Sequence, residues 1–125
     1  MAESSHRRRL LIAIYFVALL AVTLAPIPGS TYAPALTDKL VHCLLFGGLA
    51  LLLHWNLVHQ SGIGRVCTAT LLSVLAAGAI ELLQGALPYR ASDVWDLIAG
   101  AVGAVAGALT GHVAFRESIE RGGRE

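Results

Sequence analysis

Residues 93–115 read DVWDLIAGAVGAVAGALTGHVAF. From residue 97 to residue 115 this stretch has no Asp, Glu, Lys or Arg, and at 1.5 Å per residue a helix of that length crosses about 30 Å of hydrocarbon. Asp93, Asp96, Gly100, Gly103, Gly107 and Gly111 step by three or four residues and so form one stripe on a helix. Small residues at this spacing let two helix backbones approach closely. The stripe predicts a helix whose glycine side faces a neighbour, with two carboxylates continuing that side at its start.

Charge is absent in the same way elsewhere. Residues 10–37, 40–64 and 66–80 contain no Asp, Glu, Lys or Arg. Each run carries roughly 15 to 20 apolar residues, enough to span a bilayer as a helix. The expected fold is therefore all-α: an integral membrane bundle of four transmembrane helices, with cores near residues 10–24, 40–57, 66–87 and 94–115. Short connections make sequence neighbours antiparallel, and the whole of residues 1–125 reads as one domain. The basic residues Arg7, Arg8 and Arg9 before an apolar run also fit a secretory signal peptide. That run is long for a signal core, and a cut after Ala33 would leave Pro34 next, so a retained first helix is expected.

The composition agrees. Of 125 residues, 56% are hydrophobic and 14% charged; so small a chain buries little of itself, and a soluble one would need far more polar surface. A net charge of +1 and the lack of a basic stripe exclude a nucleic-acid binder. The two cysteines exclude a disulfide scaffold. Cys43 and Cys67 belong to opposite membrane faces and are expected to be free.

Basic residues set the orientation. With the N-terminus inside, Arg7, Arg8, Arg9, Arg65, Arg116, Arg121 and Arg124 lie inside, and Lys39 and Arg90 outside. The expected topology is N-in, C-in. Asp38, Glu81, Asp93 and Asp96 then gather at the outer face, level with Lys39, His42, Gln84 and Arg90. Asp38, His42 and Phe46 share one face of the second helix, while Ala77, Glu81 and Gln84 share one face of the third. An ionisable residue inside a membrane helix is costly, so each is a functional candidate.

Plainer explanations compete at several of these positions. Asp93 or Ser92 can cap the fourth helix, Asp96 can sit in its first turn, and Asp38 invites the same account at the second helix. Lys39 can snorkel to the interface. Glu81 resists such an account, because the helix dipole disfavours a negative charge near a C-terminal end. It needs Arg90, Lys39, His42 or a proton as partner. His54, Asn56, His59 and His112 are expected as interface residues, and Trp55, Trp95, Tyr32 and Tyr89 as an aromatic belt.

Asp38-Lys39-x-x-His42-x-x-x-Phe46, Glu81-x-x-Gln84, Pro88 with Arg90, and Asp96 followed by Gly103 together resemble the VanZ-like family of small bacterial membrane proteins. The resemblance covers about residues 38–103. Where that family usually has Asn, this chain has Gly100. The family is named for a protein linked to low-level resistance to the glycopeptide teicoplanin. The resemblance implies a multi-pass protein of the bacterial cytoplasmic membrane, connected with the cell envelope.

Three functions are compatible with the polar belt. The first is a binding protein in which Arg90, Lys39, Gln84, Asp38 and Asp93 recognise an envelope lipid, an antibiotic or a partner membrane protein. In the second, a membrane-embedded enzyme acts on a lipid-linked envelope precursor, with Glu81 or His42 as general base and Asp96 orienting the histidine. Proton-coupled transport by an oligomer is the third. One histidine among carboxylates, without a compact motif, is a weak metal signal, and no metal or other cofactor is expected.

Overall fold

The computed structural model describes residues 2–26 and 35–122. They form four helices: α1 (Ala2–Leu24), α2 (Ala35–Asn56), α3 (Gly62–Gly85) and α4 (Val94–Gly122). Each is longer than its apolar core, because charged residues at the ends, such as Asp38 and Arg65, continue the helix without contributing hydrophobicity. Two starts are fixed by side-chain caps. The Ser61 hydroxyl accepts from the Gly64 N–H at 3.2 Å, and Asp93 Oδ1 accepts from the Trp95 N–H at 2.9 Å.

The helices alternate in direction. At one end the Arg8 guanidinium stands 5.3 Å over the Trp55 ring, so the start of α1 lies beside the end of α2. Arg65, at the start of α3, stacks 4.2 Å over Phe115 on α4. Arg65 also donates to the carbonyls of Gln60 and Val58, both at 3.3 Å, and so ties down the α2–α3 connection. The opposite end brings together the starts of α2 and α4 and the end of α3.

The α2–α4 contact is the tightest, and glycine is the reason. A Cβ on Gly103 would run into the Cys43 carbonyl, and one on Gly107 into the Gly47 carbonyl. The glycine stripe therefore faces α2, with Ala104 and Ala108 buried beside it. The α3 helix closes the bundle through Ala69, Ala77 and Ile80, and its Ser73 hydroxyl donates to the Phe46 carbonyl at 2.8 Å. Among the described residues α1 touches α2 and α3 but not α4. Large apolar side chains cover the outside, Leu44 being 74% and Leu82 78% exposed, which is an outer surface suited to lipid and not to water.

Among the described residues, three helices are long and apolar enough to cross a membrane: Leu36–Asn56, Gly62–Gly85 and Val94–Glu117. The first helix is not one of them. Arg7, Arg8 and Arg9 lie within it, leaving residues 10–24 free of charge, about 22 Å of helix at 1.5 Å per residue. That is short of the hydrocarbon thickness of about 30 Å. Both cysteines are free, Cys43 partly buried and Cys67 exposed.

Candidate functional site

The polar cluster is assembled from three helix ends. Asp38, Lys39 and His42 come from the first two turns of α2, Glu81 from the last turns of α3, and Asp93 and Asp96 from the start of α4. Lys39 Nζ stands 3.0 Å from Asp93 Oδ2 and 3.4 Å from Asp96 Oδ1. One ammonium thus joins α2 to the first turn of α4. Asp93 is both cap and ion-pair partner, and its carboxyl is held below its ordinary value, first by the Trp95 N–H and then by the Lys39 ammonium.

Glu81 resolves the conflict with its own helix by serving another. Its Oε2 accepts from the Asp93 N–H at 3.0 Å and from the Ser92 hydroxyl at 3.3 Å. A carboxylate disfavoured at the end of α3 is thereby placed at the start of α4, where the dipole favours it. Its other oxygen, Oε1, faces His42 Nε2 at 3.6 Å. Both atoms are buried without a hydrogen-bond partner, in residues 5% and 2% exposed. On the far side of the ring, His42 Nδ1 lies 3.0 Å from the Asp38 carbonyl oxygen, to which it donates in the Nδ1–H tautomer. The Asp38 carboxylate is 3.8 Å from the same nitrogen. Phe46, fully buried, closes the cluster from below, its ring centroid 6.0 Å from that of His42.

Not every residue of the expected belt joins this group. Gln84 turns away: its Nε2 donates to the Thr23 carbonyl at 2.7 Å, and the Thr23 hydroxyl donates to the Leu19 carbonyl at 2.8 Å. It anchors the end of α1. Arg90 forms no ion pair with any carboxylate among the described residues, and its Nε is buried without a partner. Of the partners expected for Glu81, the structure pairs it with His42, while Lys39 goes to the two aspartates of α4. Ser92, read as a cap, instead donates to Glu81. Gly100 has a steric account in this chain, since a Cβ there would come within 2.9 Å of the Phe46 ring and 3.3 Å of Ala77 Cβ.

The other end of the bundle departs from expectation. His54 is only 1% exposed, because Gly111 brings the α4 backbone close to it, a Cβ there falling within 2.9 Å of its Nδ1. It lines a cavity of about 320 Å³ with Leu51, Trp55, Gly111 and Phe115, and its ring meets His112 edge-on at 6.1 Å between centroids.

The corner sets buried His42, Glu81 and Asp96 beside the partly exposed Lys39 and Asp93, an arrangement of acid, base and cation that can recognise a polar group or move a proton. No curated protein and no solved structure matches the chain. The model of the VanZ/LLP1 family matches residues 4–115, a longer stretch than the sequence motifs cover. The α2 and α4 contact, the polar corner above it and the membrane-length helices, but for the last two residues of the third, lie within that match, and the chain belongs to the VanZ/LLP1 family of membrane proteins.

Proposed function

We propose that this is a multi-pass protein of the bacterial cytoplasmic membrane, N-terminus and C-terminus inside, that binds the polar head of an envelope amphiphile at the outward-facing corner of α2, α3 and α4. The head belongs to an envelope lipid or lipid-linked precursor; an amphiphilic antibiotic and a partner membrane protein are the other ligands considered. In this reading α1 is a fourth crossing helix, its basic first turns in the cytoplasmic interface. The distribution of arginines supports the orientation: Arg8 and Arg65 lie at the end opposite Lys39, Asp93 and Asp96.

One observation carries the proposal. His42 Nε2 and Glu81 Oε1 are buried, face each other and lack hydrogen-bond partners. Buried polar atoms are ordinarily satisfied, and exceptions concentrate where a ligand or a reaction completes them. The same pair favours a second reading, general acid–base chemistry on a lipid-linked substrate, with Glu81 and His42 exchanging the proton and Asp96 beside them.

Lipid and envelope-precursor profiling of a deletion strain complemented with wild type or Glu81→Gln separates the two. A precursor that accumulates and is relieved by wild type alone supports catalysis. Unchanged pools, together with loss of head-group binding by purified Glu81→Gln and His42→Ala, support binding. Unchanged pools and unchanged binding in both variants would overturn the site.

A further inference from the structure

We infer that the groove between α1 and α4, floored by α2, seats one acyl chain of an anionic phospholipid whose phosphate meets Arg8, at the end of the bundle opposite the polar corner. Among the described residues α1 and α4 do not touch, so the side of α2 between them lies open. Two hollows follow that side. The first, of about 320 Å³, is lined by Leu51, Trp55 and Phe115. The second, of about 230 Å³, continues from Leu51 past Gly47 and Gly107 to Cys43. No Asp, Glu, Lys or Arg lines either one.

The groove has the length of a lipid chain. Cys43 and Trp55 are twelve residues apart, about 18 Å of helix, and one leaflet of hydrocarbon is about 15 Å deep, half of the bilayer core. Any groove on a membrane protein meets lipid, so length alone selects nothing.

The charge at one end does select. The Arg8 guanidinium stands 5.3 Å over the Trp55 ring, which places a cation on the aromatic wall of the first hollow. Arg8 makes no ion pair among the described residues. A guanidinium held over an indole keeps N–H donors that can meet a phosphate bidentately. Arg7 and Arg9 stand exposed on either side of it in the chain and raise the local attraction for anionic lipid. A neutral helix laid in the groove would fill it and leave Arg8 unanswered; an anionic phospholipid fills it and answers the charge. In the proposed topology this is the cytoplasmic leaflet, so the lipid is a second ligand, distinct from the one at the outward corner.

The test uses the full chain in nanodiscs with Trp95→Phe, which leaves Trp55 as the one tryptophan. Quenching of its fluorescence is compared for phosphatidylglycerol and phosphatidylcholine carrying the same brominated chains, each titrated into unbrominated neutral lipid. Apparent affinity is expected to be about fivefold higher for phosphatidylglycerol. Arg8→Gln is expected to erase the preference and Arg9→Gln, which removes the same charge from an exposed neighbour, to keep it. Ala106→Phe fills the second hollow from an exposed position of α4 and should weaken quenching by both lipids. Equal quenching by the two lipids, a preference that Arg9→Gln removes as fully as Arg8→Gln, or quenching untouched by Ala106→Phe overturns the inference. So does a dimer in native mass spectrometry that Ala106→Phe disrupts, because the groove then belongs to a second copy. The readout lies at the opposite end from Glu81 and His42, so its failure and that of the proposed function are distinguishable.

Discussion

The Glu81 carboxylate of α3 accepts the backbone N–H of Asp93 at 3.0 Å and so caps a helix to which it does not belong. The two residues are twelve apart in sequence, and the bond makes the start of α4 dependent on the end of α3. Replacement of Glu81 therefore has two separable effects. Glu81→Gln retains an acceptor for the Asp93 N–H but removes the carboxylate beside His42; Glu81→Ala removes both. Thermal unfolding in detergent is expected to place Glu81→Ala about 1–3 kcal/mol below wild type and Glu81→Gln close to it, while head-group binding is lost in both. Equal melting of the two variants would refute the cross-helix cap.

Glycines at different places in the bundle respond oppositely to a methyl group. A Cβ at Gly103 meets the Cys43 backbone, whereas none is within 4 Å at Gly78. Gly103→Ala is expected to cost about 1–3 kcal/mol or more through overpacking. For Gly78→Ala the expected result is no loss or a gain of up to about 1 kcal/mol from helix propensity. Detergent melting curves of the two variants decide it.

Docking of α1 depends on Gln84. Gln84→Leu deletes the donor to the Thr23 carbonyl, a loss of about 1–2 kcal/mol for a bond within the membrane. Hydrogen exchange is expected to rise in α1 and remain unchanged in α2 and α4. A rise spread evenly over all four helices would mean that Gln84 supports the whole bundle.

Acid should loosen the start of α4. The folded state holds the Asp93 carboxyl below its ordinary value of 3.8, through the Trp95 N–H first and Lys39 second. A depressed folded value means that the contribution to stability is complete above the unfolded value and disappears as pH falls through the folded one. As pH falls from about 5 to below 3 wild type is expected to lose melting temperature. Asp93→Asn keeps an acceptor for Trp95 and should show a shallower acid limb; parallel curves would count against the Asp93 contribution.

Orientation has its own readout. In a background lacking Cys43 and Cys67, a cysteine replacing Tyr89, which is half exposed, is expected to react with an impermeant thiol reagent from outside intact cells. One replacing Ser61 is expected to be protected. The reverse pattern would invert the topology.

Helix number, order and the inward side of α4 are legible in sequence because charge-free runs and the glycine stripe report helix length and backbone approach directly. The pairings are not legible in the same way. Lys39 has reach enough for any carboxylate at its level, and only the rotation of α2 against α4 selects Asp93 and Asp96. Gln84 shares a broad face with Glu81, but three residues along a helix turn the side chain by about 60°, enough to aim it at α1. His54 belongs to an apolar run whose end looks like an interface, and its burial depends on how closely α4 approaches at Gly111. The shorter apolar length of α1 has a similar cause, since Arg7 to Arg9 are helical and leave residues 10–24 as its charge-free part.

Where Gly103 and Gly107 meet the carbonyls of Cys43 and Gly47, backbone touches backbone and no side chain stands between to rotate or yield. The α2–α4 pair is therefore the stiff jaw of the polar corner, holding Asp38, Lys39, His42 and Asp96 at set spacings. Glu81, carried on α3, is the other jaw, and its Oε2 is held by the Asp93 N–H. A shift of Glu81 toward His42 would also pull on the Asp93 amide, so the spacing of the corner and the firmness of the start of α4 are mechanically one property.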